Sequence, residues 1–202
     1  TINPTNSTFV MKQNSNGEGI HSLSSLIPAL FSPTTLMKEV PFSRMITELN
    51  YEKISTILNT VRLALIIFTL YFLRSKPFFT IKNKYKMLWE FSYILAIIPL
   101  IFPHQQKYAF FFFMPATAYI IHFLIFNYKS NIVSINKKRI STFLMLIFFL
   151  LTTITTDGLI GVYYNELTEY YKTITFGVFI LIAVLAICKP SYLTKNTRHT
   201  KT

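Results

Sequence analysis

Between residues 103 and 108 the chain reads Pro-His-Gln-Gln-Lys-Tyr, which puts one imidazole, two amides and one ammonium between two apolar runs. A plain turn needs only one or two polar residues. Lys107 is a point charge suited to a phosphate, His104 is suited to the same anion, and the amides of Gln105 and Gln106 suit sugar hydroxyls. The turn also reads as an interfacial loop whose polar groups are hydrated. Arg62 stands inside the apolar run that begins at Ile54. An unpaired guanidinium there is costly unless it reaches water or an anion, so it either meets a lipid-linked phosphate or snorkels to the outer interface.

Other polar residues read more plainly. Glu90 sits near the inner end of an apolar run and snorkels or pairs with a loop lysine, while His122 reads as a packing histidine. Asp157-Gly158 reads as a turn at the end of a helix, with Asn165, Glu166 and Glu169 beginning a short amphipathic segment. Asn6-Ser7-Thr8 is a formal glycosylation sequon, a pattern frequent by chance. No zinc-type His/Cys spacing, phosphate-cradling Gly loop or nucleophile elbow is present, so neither metal nor cofactor is expected. Cys188 is the single cysteine and excludes an intrachain disulfide.

The elements that would position these groups follow from composition. In 202 residues, 51% are hydrophobic and 20 are Phe. With a mean hydropathy of +0.41, lipid must be the solvent for much of the chain. Lys+Arg 20 against Asp+Glu 8 could suggest nucleic acid. The basic residues, however, cluster between apolar runs, which is membrane topology and excludes a nucleic-acid partner. Five predominantly apolar stretches, 54–73, 87–102, 108–126, 140–156 and 172–188, predict an all-α polytopic bundle of about five spans. Three are short, so Trp89, Tyr170 and Tyr171 are expected as interfacial anchors. Residues 1–53 are polar and rich in Asn, Ser, Thr and Pro, a loop with a short helix over 22–30 bounded by Pro33 and Pro41. Residues 189–202 form a basic tail.

Loop charge orients the bundle. Arg74, Lys76, Lys82, Lys84 and Lys86 fill the first loop; Lys129, Lys137, Lys138 and Arg139 the third; Lys189, Lys195, Arg198 and Lys201 the tail. The second loop has only Lys107, and the fourth has Asp157, Glu166 and Glu169. Basic loops stay cytoplasmic. Residues 1–53, 103–107 and 157–171 are therefore expected outside an inner or plasma membrane, with the C-terminus in the cytoplasm.

Two stretches carry a family likeness: Gly19-Ile20-His21-Ser22-Leu23-Ser24-Ser25-Leu26-Ile27-Pro28, and Pro99 to Tyr108 followed by the Phe-rich run to Pro115-Ala116. In order and spacing they resemble the C-terminal half of glycosyltransferase family 87, GT-C enzymes similar to the polyprenyl-phosphate-mannose-dependent mannosyltransferases. Asp157-Gly158-Leu159-Ile160-Gly161 and Tyr170-Tyr171-Lys172 also fit. The resemblance implies transfer of a hexose, mannose in the relatives, from a polyprenyl-phosphate donor to a glycan or lipid acceptor at the extracytoplasmic face of the cell envelope. It implies phosphate contacts from His104, Lys107 and Arg62, and sugar or acceptor contacts from His21, Ser22, Gln105 and Gln106. The acceptor hydroxyl needs a carboxylate base, and the leaving phosphate needs cationic stabilisation.

One departure matters. The family's catalytic Asp lies in a first outer loop for which this chain has no match. The base is therefore expected upstream of Thr1, in a longer protein, and the 202 residues alone are expected to be inactive. A different reading of the same sequence is a non-enzymatic polytopic protein, such as a transporter or a lipid-carrier flippase component. Pro99 and Pro115 would interrupt its helices, yet no carboxylate stands near a bilayer midplane.

Overall fold

The computed structural model describes residues 20–32, 42–73, 83–103, 107–128, 134–153 and 155–190. Among these the chain is all-α. Helix α1 (Leu23–Phe31) is followed by α2 (Tyr51–Leu73) and α3 (Lys84–Ile101). A 3-10 helix (Lys107–Phe113) leads into α4 (Met114–Tyr128), then come α5 (Ile135–Thr153), α6 (Asp157–Tyr170) and α7 (Thr173–Ile187).

Local chemistry explains several boundaries. Asn83 opens α3 by accepting the amides of Tyr85 at 2.9 Å and Lys86 at 3.2 Å, a side-chain cap that satisfies two orphan donors. Pro115 lies in the first turn of α4, where its missing N–H costs nothing and its ring hinders α-helix just before it. The third expected span, 108–126, is accordingly not one α-helix but a 3-10 turn passing into one at Met114. Asp157-Gly158 is also corrected: these residues open α6 rather than closing a helix. The turn falls instead at Gly161, with φ 78°, a conformation that glycine tolerates without a Cβ penalty.

Helices α5 and α7 pack most intimately, α3 lies against both α4 and α7, and α1 wedges between α2 and α3. The core between them contains Tyr93, Leu100, Tyr119, Phe148 and Leu181. The C-terminal end of α7 is held by side chains. Trp89 Nε1 donates to the Leu185 carbonyl at 2.8 Å, and the Tyr119 hydroxyl donates to the Cys188 carbonyl at 2.7 Å. These bonds satisfy carbonyls that a helix end leaves without intrahelical partners. Trp89 is thus a buried clamp rather than an interfacial anchor, and Tyr170 is likewise buried.

Helix α2, with 23 residues, is long and apolar enough to cross a membrane, and the pair α5 and α6, bent by 88°, qualifies if taken as one broken span. Helix α3 begins with charged residues, and α7 has only 15 residues. In α2 only Ile54 is buried. Leu63, Ile66, Ile67, Leu70 and Tyr71 on α2, and Phe143 and Leu146 on α5, are exposed.

Candidate functional site

The two stretches that carry the family likeness meet. Ser22, the N-cap of α1, makes no side-chain cap bond to its own helix. Its Oγ donates instead to the Pro103 carbonyl at 3.0 Å, across 81 residues of sequence. The start of α1 therefore sits against the end of α3, where the turn 103–108 begins. His21, Ser22, Ser24 and Ser25 are all buried there, an unusual density of polar side chains for an interior.

Arg62 reaches this patch. Its guanidinium donates through Nη2 to Ser24 Oγ, 38 residues away in the chain. His21, Ser22 and Arg62 are thereby gathered at one end of the bundle. The side chain of Lys107, in the 3-10 helix, and residues His104, Gln105 and Gln106 lie outside the described residues, as does the sequon.

Two further cations complete the patch. Lys172 has φ 55°, precedes α7 as its N-cap, and is 1% exposed. Its Nζ donates to the Ile20 carbonyl at 3.1 Å. Arg44 and Glu169 stand near enough to interact electrostatically with its ammonium. Arg44 belongs to the irregular segment 42–50. Its Nη1 donates to the Tyr170 carbonyl, and its guanidinium lies 4.3 Å over the Tyr170 ring. Burial lowers the pKa of Arg44 while Tyr170 raises it.

The segment 42–50 is stitched to both neighbours. The amides of Ile46 and Leu49 donate to the Leu30 and Phe31 carbonyls at 2.9 and 3.0 Å, closing the C-terminal end of α1. The Tyr171 hydroxyl donates to the Phe42 carbonyl at 2.9 Å. Pro28 removes the amide that would bond the Ser24 carbonyl, which loosens α1 beside the patch.

Sequence reasoning assigned no role to Lys172 or Arg44. Lys172 reads as the first residue of an apolar run, and nothing local ties Arg44 to a tyrosine 126 residues away. One signal was there: a lysine directly before a helix opposes the positive end of the helix dipole. Two other expectations agree with the structure. Glu90 pairs with Lys86 at 3.5 Å, and His122 stacks on Tyr85 and Phe126 with centroids at 5.5 and 6.0 Å. Among the described residues no group of His, Cys, Asp and Glu is arranged to hold a metal ion.

No family model, curated protein or solved structure matches this chain.

Proposed function

We propose that the chain is a polytopic membrane protein forming the donor-binding part of a GT-C type glycosyltransferase. It takes a hexose, mannose by resemblance, from a polyprenyl phosphate and passes it to an acceptor hydroxyl at the extracytoplasmic face. One observation carries this reading: the patch His21–Ser25 and the turn after Pro103 resemble the same family separately, and they meet through Ser22 Oγ on the Pro103 carbonyl.

The membrane part is supported by charge placement. Lys84 and Lys86 occupy the first turn of α3, and Lys137 and Lys138 that of α5, followed by Arg139. Cations there oppose the helix dipole. They are the residues expected where a helix enters from the cytoplasmic leaflet. The exposed apolar residues of α2 and α5 are a lipid-facing surface on this reading.

In the proposed reaction Arg62, Lys107 and His104 stabilise the departing phosphate, while His21, Ser22, Gln105 and Gln106 hold hydroxyls of sugar or acceptor.

The test is transfer of labelled hexose from a polyprenyl-phosphate donor by membranes carrying the whole gene product. Arg62→Ala and Lys107→Ala are expected to lower turnover by about 100-fold at equal protein level, the scale of losing one charge stabiliser. Unchanged turnover in both variants overturns the phosphate assignment. Solute uptake by proteoliposomes without any transfer favours the carrier reading.

A further inference from the structure

Side-chain contacts bring four helix ends to one place, away from the patch at the start of α7. Trp89, in the second turn of α3, donates to the Leu185 carbonyl near the end of α7, and Cys188 Sγ donates to Ser141 Oγ, in the second turn of α5, at 3.5 Å. Phe72, at the end of α2, lies against Trp89 with ring centroids 5.5 Å apart, and Lys189 Nζ stands 4.2 Å over the Phe72 ring. The starts of α3 and α5 and the ends of α2 and α7 therefore share one end of the bundle.

That end is basic. Lys84 and Lys86 stand there on α3, Lys137, Lys138 and Arg139 on α5, and Lys189 after α7. Among the described residues its one carboxylate is Glu90, which pairs with Lys86 at 3.5 Å. The other described carboxylates belong to the opposite ends of these helices: Glu48 and Glu52 about the start of α2, and Asp157, Glu166 and Glu169 on α6, between the end of α5 and the start of α7. Two helices start at the basic end and two finish there, so their dipoles offset one another and the side chains set the sign.

Directly inside the cations the surface turns apolar. On α3, exposed Lys84 is followed by Leu88, Phe91 and Ile94, all exposed; on α5, exposed Arg139 is followed by Phe143, Leu146 and Leu150, all exposed. Steps of three and four residues keep each row on one face of its helix. Each row spans about 15 Å at 1.5 Å per residue, which is close to half the hydrocarbon thickness of about 30 Å. A cation at the head of an apolar row one leaflet long is the outline of a single anionic phospholipid. Nucleic acid would engage the cations and leave both rows uncovered.

We propose that this end of the bundle binds anionic phospholipids, with headgroups at Lys84 and Arg139 and acyl chains along the two exposed rows, so that the protein gathers acidic lipid from the cytoplasmic leaflet around itself. The proposal rests on the reading above only for the chain's being a membrane protein with this end in the cytoplasm; no part of the donor site enters it. A zwitterionic lipid fits the apolar rows equally, but its headgroup carries its own cation beside the phosphate. Charge is therefore what discriminates. One Lys or Arg near the surface is worth about fivefold in favour of anionic lipid.

The experiment reconstitutes the full chain in phosphatidylcholine vesicles with a trace of spin-labelled phosphatidylglycerol or spin-labelled phosphatidylcholine of the same acyl chains, and reads the fraction of each held at the protein. Phosphatidylglycerol is expected to be preferred about fivefold at low salt, and less so in 1 M salt, where the Debye length falls to about 3 Å. Lys84→Gln combined with Arg139→Gln is expected to lower the preference by at least about twofold with the helical signal unchanged. Lys53→Gln, at the opposite end of α2, is expected to leave it as it was. Equal association of the two lipids with an inserted wild-type chain overturns the proposal, as does an undiminished preference in the folded double variant. Duplex DNA held through Lys84 and Arg139, without preference between the lipids, overturns the choice of lipid as the partner. Release of the chain from the vesicles by an alkaline wash overturns the membrane reading as well, which sets that failure apart from the others.

Discussion

Gly177 lies where α7 crosses α5, and a Cβ added to it would meet Thr152 Cγ2 at 2.8 Å, Leu151 Cβ at 3.5 Å and Phe148 Cδ2 at 3.8 Å. Thr152 cannot turn aside cheaply, since its Oγ1 donates to the Phe148 carbonyl at 2.8 Å and a β-branched side chain is stiff at χ1. Alanine at 177 gains about 1 kcal/mol of helix propensity. It costs about 1–3 kcal/mol of overpacking, and the expected net is a loss of about 1 kcal/mol. Thr152→Ser removes the methyl in the way and keeps the hydroxyl. In that background Gly177→Ala is expected to stabilise by up to about 1 kcal/mol, so the substitution changes sign. The assay is thermal unfolding of the full chain in one detergent, followed by loss of helical signal and by modification of buried Cys188. Equal destabilisation in both backgrounds, or stabilisation in the parent, refutes the contact as the cause.

Two other outcomes are expected. In a Cys188→Ser background, a cysteine at Glu166 should react with an impermeant thiol reagent on intact cells and one at Ser134 should not; the reverse pattern inverts the orientation. Trp89→Phe should cost about 1–3 kcal/mol by stranding the Leu185 carbonyl, read as a lower unfolding midpoint; no change would mean that the bond contributes nothing.

Long apolar runs made the helices legible. The short helix at 22–30 appears at Leu23–Phe31, and the first apolar run from Ile54 appears as Tyr51–Leu73. Legibility failed where a backbone effect intervened. Pro115 splits the third run into two helix types, and Gly161 takes the turn expected at Gly158. The site was legible only as two separate stretches. Arg62 stood out because a charge inside an apolar run is anomalous, whereas Lys172 and Arg44 act through partners 152 and 126 residues distant. Ser25 and Thr175 are common residues in ordinary helical contexts. Folding buries both without a hydrogen-bond partner among the described residues, which nothing in their local sequence announces.

The central claim is that the patch at 20–25 and the turn at 103–107 form one site for a lipid-linked sugar phosphate. Its most direct measurement is photo-crosslinking of the whole gene product, in native membranes, by a prenyl-phosphate hexose with a photoreactive group on the sugar. Crosslinked peptides are expected to contain both stretches, to disappear with excess donor, and to weaken in Arg62→Ala. Crosslinks confined to the opposite ends of α3 and α5, near Lys84 and Lys137, or labelling that excess donor leaves unchanged, would contradict it.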